Sequence, residues 1–255
     1  MRVPVCLFLC FCCLFVSCSR QSYPYGKRPE FFFEDEKVLA LCSAVLSEDV
    51  QQVSNVIADD VDLNLQGRDG ITPLLWTLGT KNREMFELLL TSGADPNIQT
   101  KRGASVMGYV AAMDDPSFLK TVLKHGGNPN LVDPETLRPP LVEAIFHDRF
   151  ENIKILLDHE ADPNYATPMG HTVLMSAADL NRYDMAHYLL SNGADPSLAT
   201  KNGDTIVDLL ESDLKNPNLL RTGELFEAKG KVIDLLESNG VDVAELRQLY
   251  ATPPK

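Results

Sequence analysis

Histidine is the residue type in this sequence with the most capacity for acid–base or metal chemistry, and five are present. They are His125, His147, His159, His171 and His187. None lies in an H-E-x-x-H motif, and the sequence has no G-x-S-x-G motif, no G-x-x-x-x-G-K-[ST] loop and, beyond residue 18, no C-x-x-C pair. His147 and His171 are the best metal candidates, but no third ligand accompanies them. The sequence therefore predicts no catalytic residues, no cofactor, no metal and no enzyme activity.

Composition and charge disfavour two further classes. The 255 residues are 44% hydrophobic and 23% charged, as in ordinary globular proteins. Lys and Arg number 23 against 36 Asp and Glu, a formal net charge of −13. Nucleic-acid binding needs a basic face that displaces counterions from phosphates, and adsorption to anionic lipid needs surface cations. We therefore expect no nucleic-acid partner, and no membrane contact through surface charge.

Residues 1–18 have the pattern of a secretion signal. Arg2 precedes an uncharged apolar run from Val3 to Val16, which is too short to span a bilayer as a helix but suits a signal peptide. Its end, Phe15-Val16-Ser17-Cys18, resembles the lipobox of bacterial lipoproteins, although Leu is usual where Phe15 stands. The resemblance implies a signal peptide over 1–17, a lipid on Cys18 and a periplasmic protein anchored to the outer membrane. Ordinary cleavage without lipid is the alternative.

Five of the six cysteines fall within residues 1–18, and only Cys42 lies beyond them. If Cys18 is acylated, no intramolecular disulfide is possible, and Cys42 is expected to be a small core residue. Residues 18–33 show no helical or strand period and are predicted to be a tether that ends in Phe31–Phe33. This aromatic cluster either caps the first helix, the favoured interpretation, or forms a patch for a partner.

A motif of the form Ala-Asp-Pro-Asn recurs along the chain. Its copies begin at positions 61, 94, 127, 161 and 194, and a sixth at 241 follows after a longer interval. Segments such as Gly70-Ile71-Thr72-Pro73-Leu74 and Gly170-His171-Thr172-Val173-Leu174 repeat in phase between them. Self-similarity at this period predicts a stack of small structural repeats, each of which buries its apolar face against its neighbours.

These two motifs resemble the ankyrin repeat, whose pattern runs G-x-T-P-L-H-x-A-A, a turn, a helix ending in L-L and then G-A-D-x-N. The resemblance covers about residues 34–245 and implies an all-α repeat solenoid of about six helix–turn–helix units joined by hairpin loops. We expect an ankyrin-repeat domain over 34–250, in which Thr72 caps a helix that begins at Pro73. Its predicted repeats are 34–66, 67–99, 100–133, 134–166, 167–199 and 200–246, the last with an insertion near 211–229.

In ankyrin proteins the hairpin tips and the ends of the first helices form the usual surface for protein partners. The matching positions here are Arg68, Asp69, Ile71, Lys101, Arg102, Met113, Glu135, Arg138, Phe146, His147, Met169, His171, Asp179, Leu180, Lys201 and Asn202. Five cations against three anions at the tips predict a positive face on an acidic body, with chance scatter as the alternative. Exposed Met113, Phe146, Met169 and Leu180 would be apolar anchors within a charged rim.

Two other features each have two interpretations. Trp76 is either an interface residue or, the favoured interpretation, part of the core. The insertion near 211–229 carries Leu219, Leu220, Leu225 and Phe226. It either covers the end of the repeat stack, which we favour, or extends the partner surface. An enzyme remains possible only if this insertion hides a site.

Lipobox, ankyrin array and acidic domain together resemble the bacterial lipoproteins that are encoded beside type VI secretion phospholipase effectors. That resemblance implies an immunity protein, monomeric or in a heterodimer with its partner, that occludes the active site of a cognate lipase toxin. A periplasmic adaptor or stress-protection protein that stabilises a resident enzyme is the alternative. A secreted effector directed at host proteins is a third, which the apparent lipobox disfavours.

Overall fold

The structure, a computed structural model, describes residues 27–216 and 223–251. The predicted signal peptide, Cys18 as the predicted site of lipid attachment and the predicted tether up to residue 26 lie outside the described residues. The chain divides into two compact units, Met1–Ala94 and Asp95–Lys255. Within the described ranges, no helix has the length and apolar character needed to cross a bilayer.

The first unit contains two pairs of short helices, preceded by a 3-10 turn at Pro29–Phe31. The helices are α1 (Glu36–Leu46), α2 (Val50–Ala58), α3 (Pro73–Leu78) and α4 (Arg83–Thr91). Helix α3 begins as expected, because the Thr72 hydroxyl accepts a hydrogen bond from the Leu75 amide at 3.2 Å and Pro73 holds the first position. Trp76 is fully buried on this helix, which confirms the core interpretation.

The aromatic cluster packs inside this first unit. Phe32 and Phe33 are buried, and the Arg68 amide donates a hydrogen bond to the Phe32 carbonyl at 2.7 Å. A Cβ at Gly67 would lie 2.3 Å from that carbonyl oxygen, so glycine is required for this close approach. The segment before α1 is therefore part of the fold, and only Phe31 remains exposed, with the Arg68 guanidinium over its ring.

In the second unit, helices again alternate as first and second members of each repeat. They are α5 (Val106–Ala112), α6 (Pro116–Lys124), α7 (Pro140–Phe146), α8 (Phe150–Asp158), α9 (Val173–Asp179), α10 (Tyr183–Ser191), α11 (Ile206–Leu214), α12 (Glu224–Ser238) and α13 (Ala244–Ala251). Three hairpins are closed by isolated bridges, Gln99 to Ser105, Asp133 to Arg138 and Ala166 to Thr172. The described part of the chain contains no extended strands beyond these bridges.

Asparagine side chains join consecutive repeats in this unit. Asn130 donates from Nδ2 to the Glu160 carbonyl at 2.9 Å and accepts at Oδ1 from the Asp162 amide at 2.7 Å. Asn97 and Asn164 make the equivalent pair of bonds one repeat earlier and one repeat later. At the next equivalent position, Ser197 instead bonds to Asp195 in its own loop. The ladder of asparagines thus stops before the last repeat.

The last repeat is held by a buried lysine instead. Lys229 on α12 is 1% exposed, and its Nζ lies 3.0 Å from Asp213 Oδ2 and 4.8 Å from the centre of the Tyr183 ring. The Tyr183 hydroxyl donates to the same Asp213 carboxylate. Burial is the main cause that raises the pKa of the Tyr183 hydroxyl, and the Asp213 carboxylate adds to it. These three residues link α10, α11 and α12.

The region near 211–229 is mostly helical rather than a loop. Helix α11 continues to Leu214, and α12 begins at Glu224. Phe226 stacks on the Tyr250 ring at 4.2 Å, so it packs against α13, whereas Leu225 is 44% exposed. Leu219 and Leu220 lie outside the described residues. The predicted insertion therefore coincides with longer helices in the last repeat, since α11 has 9 residues and α12 has 15.

Candidate functional site, a cleft between two repeats

The predicted partner residues of the first unit divide into exposed and buried. Arg68 and Asp69 are exposed at the hairpin tip, where Asp69 has a positive φ of 60°. Ile71 is only 8% exposed, so little of its side chain is available to a partner, and its role in partner binding stays a prediction. It follows a 3-10 turn at Arg68–Gly70 that turns its side chain into the core, where an apolar side chain is more stable than at a tip.

In the second unit a cleft of about 320 Å³ opens between the fourth and fifth repeats. Five of the predicted partner residues line it, namely Arg138, Phe146, His171, Asp179 and Leu180. They come from the hairpin before α7, the end of α7, the start of the next hairpin and the end of α9. Residues more than thirty positions apart in sequence therefore share one surface, as the resemblance predicts.

One wall of the cleft is an arginine stacked on an aromatic ring. The Arg138 guanidinium lies 4.1 Å from the centre of the Phe146 ring, which is 44% exposed. Arg138 Nη1 is 3.6 Å from a Glu143 carboxylate oxygen, a distance longer than a hydrogen bond. Stacking on the ring holds the guanidinium in place, so the wall presents an apolar face and a stacked cation together.

Glu143 and His147 lie behind this wall. His147 Nε2 is 3.6 Å from a Glu143 oxygen, and both side chains are mostly covered. Burial is the main cause that raises the pKa of Glu143, with a further increase from Asp133, while Arg138 opposes it. Burial also lowers the pKa of His147, and the nearby Arg149 and Arg138 add to that effect. His147 stays a predicted partner residue, of which only a small part of the side chain is exposed.

The opposite wall carries a histidine and a carboxylate. His171 Nε2 lies 3.3 Å from Asp179 Oδ2. The pKa of Asp179 is raised chiefly by burial and also by Asp213, and His171 acts in the opposite direction. Leu180 follows directly at the end of α9 and adds an apolar edge. This wall therefore brings a histidine, a carboxylate and an apolar edge together.

The remaining predicted partner residues lie around the cleft without lining it. Lys101, Arg102, Glu135, Met169, Lys201 and Asn202 are exposed on the hairpins, and Arg102 lies 3.6 Å from Glu135. Met169 has its side chain in solvent, and its carbonyl accepts from the Lys201 amide at 3.0 Å. Met113 is half-buried, and its carbonyl accepts from the buried Asn152 amide at 2.9 Å.

Several residues that line the cleft were not predicted from the sequence, among them Leu137 and Tyr165. The Tyr165 hydroxyl donates to the Leu137 carbonyl at 2.9 Å and so fixes the hairpin that carries Arg138. The signal that could have identified Leu137 is present in the sequence, because the repeat pattern places Gly where Leu137 stands. A substituted glycine in a repeat motif indicates either strain or a role for the new side chain.

The arrangement favours binding over catalysis. Across residues 27–216 and 223–251, no group of three or more His, Cys, Asp or Glu side chains could hold a metal ion. Cys42 is buried, and burial raises the pKa of its thiol, which is the opposite of what a nucleophile needs. What the cleft offers is an apolar face with one stacked cation.

Comparison with known proteins establishes the family. The ankyrin-repeat model matches residues 69–101, and a model of three consecutive ankyrin repeats matches residues 106–200; together they make up half of the chain. The chain belongs to the ankyrin-repeat family, and the predicted all-α repeat solenoid is confirmed. This fold is a protein–protein interaction module, typically a non-catalytic scaffold.

Protein PhlB of Serratia liquefaciens is 29% identical over 150 residues, which are 59% of this chain and 66% of PhlB. The mitochondrial disaggregase of Bos taurus is 30% identical over 155 residues, 59% of this chain but 22% of that protein. The chain thus matches just under two thirds of PhlB and about a fifth of the disaggregase. A crystal structure of an ankyrin repeat domain from Acinetobacter baumannii covers 79% of this chain and 98% of its own, with a TM-score of 0.66 at 21% identity.

Proposed function

We propose that this chain is a periplasmic, lipid-anchored ankyrin-repeat protein that binds one protein partner through the cleft between the fourth and fifth repeats. The observation that carries the proposal is the cleft itself, where exposed Phe146 and stacked Arg138 lie beside Leu180. Interfaces draw most of their binding energy from a few aromatic and arginine residues near their centre. This cleft supplies both kinds of residue, with Phe146 at the end of α7 and Arg138 on the hairpin before it.

The partner in this proposal is a cognate phospholipase toxin of type VI secretion, and binding makes the chain an immunity protein. The lipobox-like Phe15-Val16-Ser17-Cys18 supports an anchor that keeps the inhibitor next to the lipid under attack. The mechanism is occlusion, since a rigid repeat surface that covers the mouth of a lipase active site excludes the substrate without any chemistry by the inhibitor. The absence of a catalytic motif in the sequence agrees with this role.

The proposal is tested by capture and inhibition. The protein is immobilised and its partners are recovered from lysates of the source organism, and the phospholipase activity of the recovered protein is titrated with the chain. Immunity predicts a single dominant lipase whose activity falls to background at one equivalent. A resident periplasmic enzyme that is recovered with full activity would instead establish the adaptor function.

Two variants with equally exposed apolar side chains locate the contact. Phe146 and Leu225 are both 44% exposed, but only Phe146 lines the cleft. Truncating a central hot-spot residue costs about 2 kcal/mol or more, roughly thirtyfold in affinity. We expect Phe146→Ala to weaken partner binding by that factor and Leu225→Ala to leave it unchanged. The reverse result would place the contact on the last repeat.

The anchor is tested separately with Cys18→Ala. We expect this variant to leave the membrane fraction and to keep wild-type affinity for the partner in solution. Protection of cells against the toxin then falls only if placement at the membrane is part of the mechanism. A wild-type protein that is soluble after fractionation would contradict the lipid anchor while leaving the binding site untouched.

A further inference from the structure

Leu137 has a backbone conformation that the other hairpins of the second unit assign to glycine. Its φ is 56°, and the corresponding Gly103, Gly170 and Gly203 have φ values of 85°, 82° and 91°. Glycine adopts this left-handed conformation without steric cost, whereas a residue with a side chain loses about 1–2 kcal/mol. The fourth repeat therefore retains a leucine at a position where glycine is less strained.

The polarity of Leu137 is also unusual for this conformation. Eight described residues other than glycine have a positive φ, and seven of them are polar or charged side chains in loops. Leu137 alone is apolar, and it is 37% exposed at the edge of the cleft. Residues with strained backbone conformations cluster at functional sites, so Leu137 is a candidate for a role in binding.

The fold does not need this side chain for its hydrogen bonds. The Tyr165 hydroxyl bonds to the carbonyl of Leu137, and the Leu137 amide donates to the Asp133 carbonyl at 2.8 Å. Both are backbone groups that glycine would supply equally well. What leucine adds is apolar surface that lies along the same cleft as Phe146. A partner that covers the exposed part of this side chain would bury further apolar surface.

The charge next to Leu137 indicates what covers it. Arg138 follows directly, stacked on Phe146 and only loosely paired with Glu143 at 3.6 Å. A planar guanidinium fits a carboxylate with two parallel hydrogen bonds. Across the cleft, Asp179 is already paired with His171 at 3.3 Å. Arg138 is the one Lys or Arg among the described residues that line the cleft.

The surrounding hairpins extend this local preference. Residues 95–255 carry 15 Lys or Arg and 24 Asp or Glu, a formal net charge of −9. Their hairpin tips reverse the sign, with the cations Lys101, Arg102, Arg138 and Lys201 against Glu135 and Asp204. A cationic rim on an acidic body steers acidic segments to this face and away from the rest of the surface.

We infer that the cleft binds an acidic protein segment in which a large apolar side chain stands next to a carboxylate. The apolar side chain packs on Leu137 and Phe146, and the carboxylate bonds to Arg138. A volume of about 320 Å³ is at the small end of ligand pockets, so it admits a side chain or two and not a folded element. This inference rests on the proposed function for one point, that the ligand belongs to a protein.

A display library of random 12-residue peptides, panned against the full-length protein in detergent, tests the inference. We expect the selected peptides to carry Leu, Phe or Trp within two residues of Asp or Glu. The most enriched peptide, synthesised with a fluorescent label, should bind Leu137→Gly and Arg138→Gln at least tenfold more weakly than wild type. Selection of basic peptides or of none would overturn the inference. So would a peptide that binds both variants as tightly as it binds wild type.

Glu160→Gly is the matched control for the strained position. Glu160 also has a positive φ, 64°, but it lies in the loop after α8 and does not line the cleft. Both glycine variants relieve the same backbone strain, so both should unfold at or above the wild-type temperature. Only Leu137→Gly should lose peptide affinity. A loss of affinity in Glu160→Gly as well would show that glycine acts through the fold rather than through the lost side chain.

The failure of this inference differs from the failure of the immunity proposal. If a captured lipase is inhibited equally by wild type, Leu137→Gly and Arg138→Gln, immunity stands and the cleft is not its site. If the captured protein is no lipase but loses affinity for both variants, the cleft inference stands and immunity fails. The same two variants thus separate the identity of the partner from the chemistry of its contact.

Discussion

Within the second unit, the middle repeats and the last repeat are joined to their neighbours by different chemistry. Asn97, Asn130 and Asn164 join the middle repeats by exposed hydrogen bonds to backbone groups, one residue for each junction. The last repeat is joined by the buried lysine Lys229, which meets Asp213 below the Tyr183 ring. The asparagine linkage is repeated at each middle junction, and each copy is weak. The lysine linkage occurs at one junction and depends on all three of its residues.

The difference shows how a repeat stack can end. Each asparagine bond forms in water, so its net contribution is on the order of 1 kcal/mol, and the loss of one leaves the others intact. A buried charge must be compensated, so Lys229 stabilises the last repeat only while Asp213 and Tyr183 are in place. The lengthened helices α11 and α12 provide the depth that buries it. The middle repeats are therefore interchangeable in their linkage, and the last one is not.

The largest effect is expected at the buried lysine. Lys229→Met leaves Asp213 and the Tyr183 hydroxyl without their cation. We expect the free energy of unfolding to fall by about 2–3 kcal/mol. The loss is smaller than the full cost of an unpaired buried charge because the Asp213 side chain is 37% exposed to water. Urea unfolding measures the loss, and amide exchange should show it first in α12. Lys215→Met, at an exposed pair with Glu245, is the control and should leave stability unchanged. Equal stability of both variants would remove the distinction between the two junctions.

A pH titration of Tyr183→Phe sharpens the same junction. The folded pKa of Tyr183 is raised above its ordinary value of 10, so the folded state keeps a proton that the unfolded state loses. This contribution is complete below pH 10, and above it decreases by about 1.4 kcal/mol per pH unit. The stability difference between wild type and Tyr183→Phe should therefore shrink as the pH rises from 10 to 11. A difference that stays constant over this range would mean that the hydroxyl titrates normally.

The smallest effect is expected in the middle repeats. Asn130→Ala removes the bonds to the Glu160 carbonyl and from the Asp162 amide, both accessible to water, so we expect a loss of about 1 kcal/mol in urea unfolding. Ser197→Ala serves as the comparison, because Ser197 bonds only within its own loop and should cost less. If Asn130→Ala proved as costly as Lys229→Met, the asparagine hydrogen bonds would act cooperatively, and the two kinds of junction would not differ in strength.

Much of the fold follows from the sequence because the same short-range interactions recur in each repeat. Thr72 caps a helix through a hydroxyl three residues from its target, and Pro73 suits the first helical position in any context. The burial of Trp76 follows from the inward face of its helix. Five cleft residues are predictable for the same reason, since equivalent positions of stacked repeats lie side by side.

The sequence is least informative about side chains where one repeat departs from the pattern. Ile71 is assigned to a tip by its place in the motif, but the 3-10 turn before it turns the side chain inward. Leu137 is overlooked because the motif expects glycine there, and the missing glycine is the sign in the sequence that this position is unusual. Position in a repeat predicts the backbone better than it predicts what an exceptional side chain does.

The sequence by itself determines the repeats, their helices and the face that carries the hairpins, because these depend on spacing and on contacts within a few residues. Only the tertiary structure decides that Lys229 is buried, since nothing in Glu-Ala-Lys-Gly-Lys distinguishes it from the exposed Lys231. The reason is that burial of a charge depends on partners far away in sequence, here Asp213 and Tyr183. The same holds for the cleft, whose walls come from two repeats and whose apolar edge depends on a strained backbone.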